Sequence, residues 1–418
     1  MQFENVTCPH CGLLCDDLSV KVTDLTVKLS DSTHPCAKFF EVASMETNTN
    51  PTAQISGKSV SEDQALEKAA EILRDSKQPL ISGLITDVQT CRDAMAITEK
   101  LGGVIDHANG KSIRHNGAVM QRIGKVKTTL AEVRNRSDCV IIFGSKVSDK
   151  FPRLFERVLL PKKTLGNENV DNKKIYILDI SNDGTFSIET GENNITRIFF
   201  DYPLLESIVY RLQEVIYKSA KNISGIDENT QCLIDLHKTI STSQYTTLIW
   251  NSSEFNQDSA EQTIQAITES IKYLMQKIRC VGLPLGSSKG EITANQVATW
   301  QTGVPLPVAF MSGAPVHDPV RNDGMKMLSN NEADCLLWIA NYHSEDEPPN
   351  TNIPTIVLGH PNMKTNNATV FIPCGVPGVD HRGLACRADN VATLPLSKIR
   401  NSILPKANEL LRKLKQLV

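Results

Sequence analysis

With 418 residues, 40% of them apolar and 22% charged, the chain is a globular protein too long for one ordinary core, and its size implies two to four domains. A net charge of −3 excludes a strongly basic nucleic-acid binder, and no apolar run approaches the roughly 20 residues that span a bilayer. The start, MQFENVTCPHCG, lacks the basic-then-apolar layout of a secretory signal. A cytoplasmic protein that partners neither nucleic acid nor membrane is expected.

Residues 1–50 carry short alternating runs, Leu18-Ser-Val-Lys-Val and Leu25-Thr-Val-Lys-Leu, that predict a small β module. Ser61 and Gln64 then give a capping-box signature ahead of a helix whose Ala65, Leu66, Ala69, Ile72 and Leu73 fall on one face. From there, short apolar runs alternate with helical stretches. Strands are predicted at 79–83, 139–144, 174–179 and 195–200, with helices over 86–101, 203–218 and 228–239. A second series places strands at 245–250, 333–340, 353–359 and 368–374, with a helix over 258–278. Continuous apolar strands separated by helices require parallel sheets covered on both faces. The expected fold class is therefore α/β, with two Rossmann-like doubly wound domains behind the small N-terminal β module. The Pro/Gly-rich stretches 282–290 and 303–320 read as long connections, a kind of segment that tends to face function. Residues 407–418 end in a short amphipathic helix with Leu410, Leu411, Leu414 and Leu417 on one side, suited to docking on the core or on a partner subunit.

Eleven cysteines in a reducing compartment do not make a disulfide framework. Seven are scattered, and those in apolar runs, such as Cys139 and Cys335, read as small core hydrophobes. The other four, Cys8, Cys11, Cys15 and Cys36, lie in the first 36 residues. One small module thus supplies four thiols at CxxCxxxC spacing plus one. That set suits an iron–sulfur cluster, with one thiolate per iron, or a tetrahedral zinc; simple burial without metal is the third reading. Spacing alone does not choose between them.

The residues around these cysteines are more specific. Thr7–Asp17 (TCPHCGLLCDD) resembles the amino terminus of the formylmethanofuran dehydrogenase B subunit, a family within the molybdopterin oxidoreductase superfamily. Thr129–Gly144 (TLAEVRNRSDCVIIFG) resembles the family's lead into the strand after the active-site loop. Ala294–Gly303 (ANQVATWQTG) is similar to a distinctive segment of that family, and Pro373–Arg387 (PCGVPGVDHRGLACR) to its closing motif. The resemblance implies an N-terminal cysteine module over 1–55 and a Rossmann-like domain A split between 56–110 and 244–372. It implies a second Rossmann-like domain B inserted over 111–243, and a closing segment over 373–418. No C-terminal pterin-binding barrel is expected, because in this family that barrel is a separate subunit. Cys8, Cys11, Cys15 and Cys36 become the implied ligands of a 4Fe-4S cluster.

One departure from the family pattern bears on chemistry. In the dehydrogenase, a cysteine or selenocysteine followed directly by histidine binds the pterin metal. The matching stretch here is Lys111-Ser-Ile-Arg-His-Asn-Gly117, with Arg114 at the ligand position and His115 after it. A guanidinium stays protonated and has no lone pair to donate, and no cysteine lies between Cys91 and Cys139 to replace the ligand. Arg114 and His115 thus mark a vestigial active-site loop. Fold retained and metal cysteine lost resembles the formyltransferase/hydrolase complex of aerobic one-carbon-using bacteria, which processes formyl groups carried on tetrahydromethanopterin with a methanofuran-type cofactor. That resemblance implies a B subunit acting as a non-redox scaffold, with the A, C and D subunits as partners. It implies no catalytic residue in this chain and no functional molybdenum- or tungsten-pterin. The alternative is a catalytic pterin-bearing B subunit of formylmethanofuran dehydrogenase, with the four cysteines relaying electrons. His360 and His381 sit beside turns and read as structural.

Overall fold

The computed structural model describes residues 1–43, 52–165, 173–191, 194–218, 223–286, 289–365 and 367–418. They fall into two units, Met1–Gly110 with Ser288–Val418, and Lys111–Ser287. The first unit opens with β1 (Gln2–Val6), β2 (Leu18–Thr23) and β3 (Thr26–Leu29), an antiparallel sheet in that order. Alternation buries Leu18, Val20, Val22, Val27 and Leu29, as strands with one covered face require. The helix α1 (Ala37–Ala43) seats Phe39 and Phe40 in the same core. Next, β4 (Ala53–Ile55) and β5 (Lys58–Val60) join through Ser56 and Gly57, both at positive φ (47° and 76°), the two-residue turn whose twist suits a hairpin.

The predicted capping box forms at α2 (Glu62–Asp75): the Gln64 N–H donates to Ser61 Oγ at 3.2 Å, and the Ser61 N–H to Gln64 Oε1 at 3.1 Å. Then β6 (Pro79–Ile85), α3 (Val88–Leu101) and β7 (Val104–Ile105) make a parallel β-α-β unit. Asp87 caps α3 by accepting the Thr90 N–H at 3.2 Å, and Gly102, at φ 65°, ends it.

The second unit begins with α4 (Gly110–Ile123) and α5 (Leu130–Arg136), and its sheet starts at β8 (Cys139–Phe143). There follow α6 (Lys146–Lys150), β9 (Lys174–Ile180), β10 (Ser187–Thr190), β11 (Ile195–Phe200), α7 (Leu205–Tyr217) and α8 (Glu228–Thr242). Finally come β12 (Tyr245–Trp250), α9 (Ala260–Leu274) and β13 (Arg279–Pro284). The strand order is β10-β11-β9-β8-β12-β13, parallel except for β10. From β8 the chain steps outward through β9 and β11, then crosses to β12 on the other side. That reversal is the switch point of a doubly wound sheet.

The chain returns through α10 (Glu291–Thr302), β14 (Val308–Ala309) and α11 (Gly324–Ser329) to β15 (Cys335–Ala340), β16 (Thr355–Gly359) and β17 (Val370–Pro373). With β4 to β7 these make an eight-stranded sheet, β14-β7-β6-β15-β16-β17-β4-β5, whose five central strands are parallel. Its switch point lies between β6 and β15. A hairpin, β18 (Gly383–Cys386) and β19 (Thr393–Leu396), and the helix α12 (Ala407–Leu417) close the unit. Alternation along β15 sends Leu337 and Ile339 to a core shared with α2, α3, α10 and α12, and Leu336 and Trp338 to one shared with Val20, Phe39 and Phe40. As expected, α12 docks by Leu410, Leu411 and Leu414; Leu417, placed on the same side by the sequence reading, is 42% exposed.

Parallel-rich α/β sheets and a small antiparallel N-terminal sheet thus stand as the sequence predicts, and no barrel is present among the described residues. The return to the first unit was expected at 244 but comes at Ser288. The reason is that β12, buried along its whole length, pairs with β8 and β13 and completes the second unit's sheet. Residues 282–284, expected in a connection, are the end of β13. The N-terminal module, expected as a domain over 1–55, shares the core of the first unit. Among the described residues, no helix is long and apolar enough to cross a membrane.

Candidate functional site

The cysteine module places all four expected thiols in its interior. Cys8, Cys11 and Cys15 lie on the loop between β1 and β2, Cys36 sits just ahead of α1, and each is buried and free of disulfides. The loop folds inward because Gly12 and Leu14 take left-handed φ (73° and 51°) and the Cys8 N–H donates to the Cys15 carbonyl at 2.9 Å. The Cys36 N–H donates to His34 Nδ1 at 3.1 Å. Burial pushes the Cys11 thiol up to about 12, and the nearby Cys15 and Cys36 push the same way. Left to itself, Cys11 stays a neutral thiol. Among the described residues, no group of three or more His, Cys, Asp or Glu is arranged to hold a metal ion. Four buried thiols are the number an iron–sulfur cluster takes, one thiolate per iron.

Arg114 and His115 stand not in a loop but in the middle of α4. The helix is pinned by its neighbours Ser112 and Asn116. Ser112 Oγ lies 2.8 Å from Ser252 Oγ, and Asn116 Oδ1 accepts the Trp250 indole N–H at 3.1 Å. His115 is half-buried; burial holds its imidazole below its usual pKa, opposed by a hydrogen bond with Gln257. Its Nε2 is buried with no partner. No metal ligand lies beside it in the sequence.

The carboxyl ends of both sheets carry polar groups that the sequence reading missed. In the first unit, the register sets Thr86, Asn341 and His360 side by side, one residue past β6, β15 and β16. Each is fully buried, and Thr86 Oγ1, Asn341 Oδ1 and His360 Nε2 have no partner. His360 Nδ1 accepts the Asn362 N–H at 3.1 Å, so its proton sits on Nε2; burial holds its pKa down to about 4. His107 is held neutral in the same way, also to about 4, with Nε2 against the Lys289 carbonyl at 3.0 Å. His10, from the cysteine loop, packs edge-on against His343 with ring centroids 4.9 Å apart. In the second unit, Gly144 and Asn251 lie side by side past β8 and β12, with Asp179 at the end of β9 next to Gly144 and Glu254 above it. The signal available in the sequence was the run of polar residues directly after each apolar strand: Gly-Ser-Lys after Phe143, Asn-Ser-Ser-Glu after Trp250, and Asn-Tyr-His after Ala340.

Two doubly wound sheets, the second inserted into the first and preceded by a four-cysteine module, define the class: an α/β scaffold of the kind predicted. The chain is a homologue of formylmethanofuran dehydrogenase B subunits and of the B subunit of a formyltransferase/hydrolase complex. It is 26% identical to the B subunit of the tungsten-containing formylmethanofuran dehydrogenase 2 of Methanocaldococcus jannaschii, covering 93% of this chain and 91% of that protein. The corresponding Methanococcus maripaludis protein is 23% identical over 93% of this chain and 92% of its own length. The B subunit of the formyltransferase/hydrolase complex Fhc of Methylorubrum extorquens is 25% identical over 78% of this chain and 85% of that protein. No family model matches the chain. The fold is that of a chain in the crystal structure of the Methylorubrum extorquens formyltransferase/hydrolase complex (FhcABCD) with methylofuran: TM-score 0.74, 22% identity, 87% of this chain and 98% of that one.

Proposed function

We propose that the chain is the non-redox B subunit of a formyltransferase/hydrolase complex. In this reading it is a cytoplasmic scaffold on which A, C and D partner subunits take formyl groups from formyl-tetrahydromethanopterin and release formate in one-carbon metabolism. The observation that carries it is Arg114, a permanent cation where the resembled dehydrogenase has its metal-binding thiolate, with no cysteine between Cys91 and Cys139 to take over. The likeness to the Fhc protein supports the same reading. Hydrolysis of a formyl group moves no electrons, so neither a pterin metal nor a working electron relay is needed. Cys8, Cys11, Cys15 and Cys36 are the residues that would hold a 4Fe-4S cluster, and in this reading such a cluster is a staple for the N-terminal module. The competing reading, a catalytic B subunit carrying a molybdenum- or tungsten-pterin, draws on the intact cysteine quartet and on the dehydrogenase relatives.

One measurement separates them: iron, sulfide, zinc, molybdenum and tungsten quantified together in anaerobically purified protein with its partners. Absence of molybdenum and tungsten is the expected result. Either metal near one per chain refutes the scaffold reading.

A further inference from the structure

Doubly wound sheets bind ligands at the carboxyl ends of their strands where the strand order reverses, and the oxyanions of phosphate-bearing ligands sit there against turn backbone. In the second unit that place lies between β8 and β12. Phe143 pairs with Trp250 and with Leu178, so Gly144 sits between Asn251 and Asp179 at the carboxyl edge. Gly144 takes φ 84°, and a Cβ there would lie 2.7 Å from Glu254 Cδ and 3.2 Å from Glu254 Oε1. The carboxylate of Glu254 thus rests directly on the turn. Its Oε2 accepts the Lys146 N–H at 3.1 Å, and Lys150, at the end of α6, bonds Ser253. Burial raises the Glu254 pKa to about 7, against the Lys146 N–H bond and the Lys146 and Lys150 charges, so the carboxyl is ionised at pH 8.

The aim of Glu254 is fixed by its segment. Asn251 begins a short turn, Ser252–Glu254, accepting the Ser253 N–H at 3.0 Å and the Ser253 hydroxyl at 2.9 Å through Oδ1. Phe255, 3% exposed, anchors the far end in the core. With Oδ1 so committed, the Asn251 Nδ2, on a residue with no exposed surface, has no acceptor, and Glu254 Oε1 has no donor.

We propose that Glu254 is an internal plug: its carboxylate occupies the place over Gly144 that a ligand's oxyanion takes at the switch point of such a sheet, and so closes this unit to phosphate-bearing ligands. The inference does not rest on assignment to a formyl-processing complex, since it concerns one turn. Its test reads oxyanion binding, whereas that assignment is read from metal content.

The probe is inorganic pyrophosphate, titrated calorimetrically at pH 8 into the full chain as it purifies. Wild type is expected to show no saturable binding. Glu254→Ala, checked for folding by its thermal transition, is expected to bind at least tenfold more tightly than wild type, since one charge-assisted contact is worth about 1.5–3 kcal/mol and tenfold is about 1.4. Glu254→Gln, which keeps the volume, is expected to stay closed. A folded Glu254→Ala that gains no affinity overturns the proposal. So does wild type binding as tightly as the variant, or Glu254→Gln gaining as much as Glu254→Ala, which would make charge and not occupancy the barrier. Should Glu254→Ala fail to fold, Glu254→Asp withdraws the carboxylate by one methylene; a gain in affinity there supports the plug, and no gain overturns it.

Discussion

Arg400 offers the sharpest test of how the cysteine module is held. Its guanidinium is fully buried opposite Asp380, with Nε to Oδ1 at 2.7 Å and Nη2 to Oδ2 at 3.0 Å. The remaining nitrogen, Nη1, donates to the Leu25 carbonyl, in the β2–β3 turn, and to the Ala43 carbonyl, at the end of α1, both at 2.8 Å. One side chain therefore ties two points of the N-terminal module to the closing segment. Arg400→Met keeps the stem but strands a buried carboxylate, whose one remaining bond to the Val376 N–H at 2.8 Å does not neutralise it. Breaking a buried pair on one side costs about 3–5 kcal/mol, and each orphaned carbonyl about 1 kcal/mol or more. A loss of about 4 kcal/mol or more is expected, equivalent to roughly three decades in an opening equilibrium. Hydrogen exchange, resolved by peptide, should show β2, β3 and α1 losing about 1000-fold protection in the variant. Adding Asp380→Leu should restore most of it, because an apolar pair carries no desolvated charge. Protection within tenfold of wild type in the single variant would refute the argument.

Three other perturbations have outcomes set by named contacts. Gly83 has φ 81°, and a Cβ there would meet the Ile339 carbonyl oxygen at 2.7 Å; Gly83→Ala should cost about 3 kcal/mol, seen as a lowered urea midpoint. Burial pushes the Glu254 carboxyl up to about 7 from 4.5. A raised folded-state pKa favours the protonated fold, so wild type loses stability as pH climbs from 4.5 through about 7. Glu254→Gln escapes that loss: melting curves should show it matching wild type near pH 4 and exceeding it at pH 8 by up to about 3 kcal/mol. Arg114→Ala should leave formyl hydrolysis by the assembled complex within a few-fold of wild type; a loss of several orders of magnitude with the complex intact would sink the scaffold reading.

The sequence disclosed what period and composition encode. Apolar strands such as Cys139–Phe143 and Cys335–Ala340 are buried on both faces and announce a parallel sheet from their residues alone. The box at Ser61 and Gln64 is local, and local chemistry reads directly. The boundary at 244 was illegible, because nothing in Tyr245–Trp250 says which of two parallel sheets it completes; the pairing of Phe143 with Trp250 is a fact of distance in space. For the same reason α4 was read as a loop. Its Gly110, Asn116 and Gly117 lower helix propensity, and the contacts that override it, from Ser112 and Asn116 to Ser252 and Trp250, span more than 130 residues.

The polar runs past the strands were open to reading one by one, but their grouping across strands was hidden by the same distance, and they distinguish the two sheets. Past β6, β15 and β16 stand Thr86, Asn341 and His360, the last held neutral by burial, with donors and acceptors left over. Past β8 and β12 the chain supplies its own carboxylate and the N–H that receives it. An oxyanion from outside would have to displace that contact.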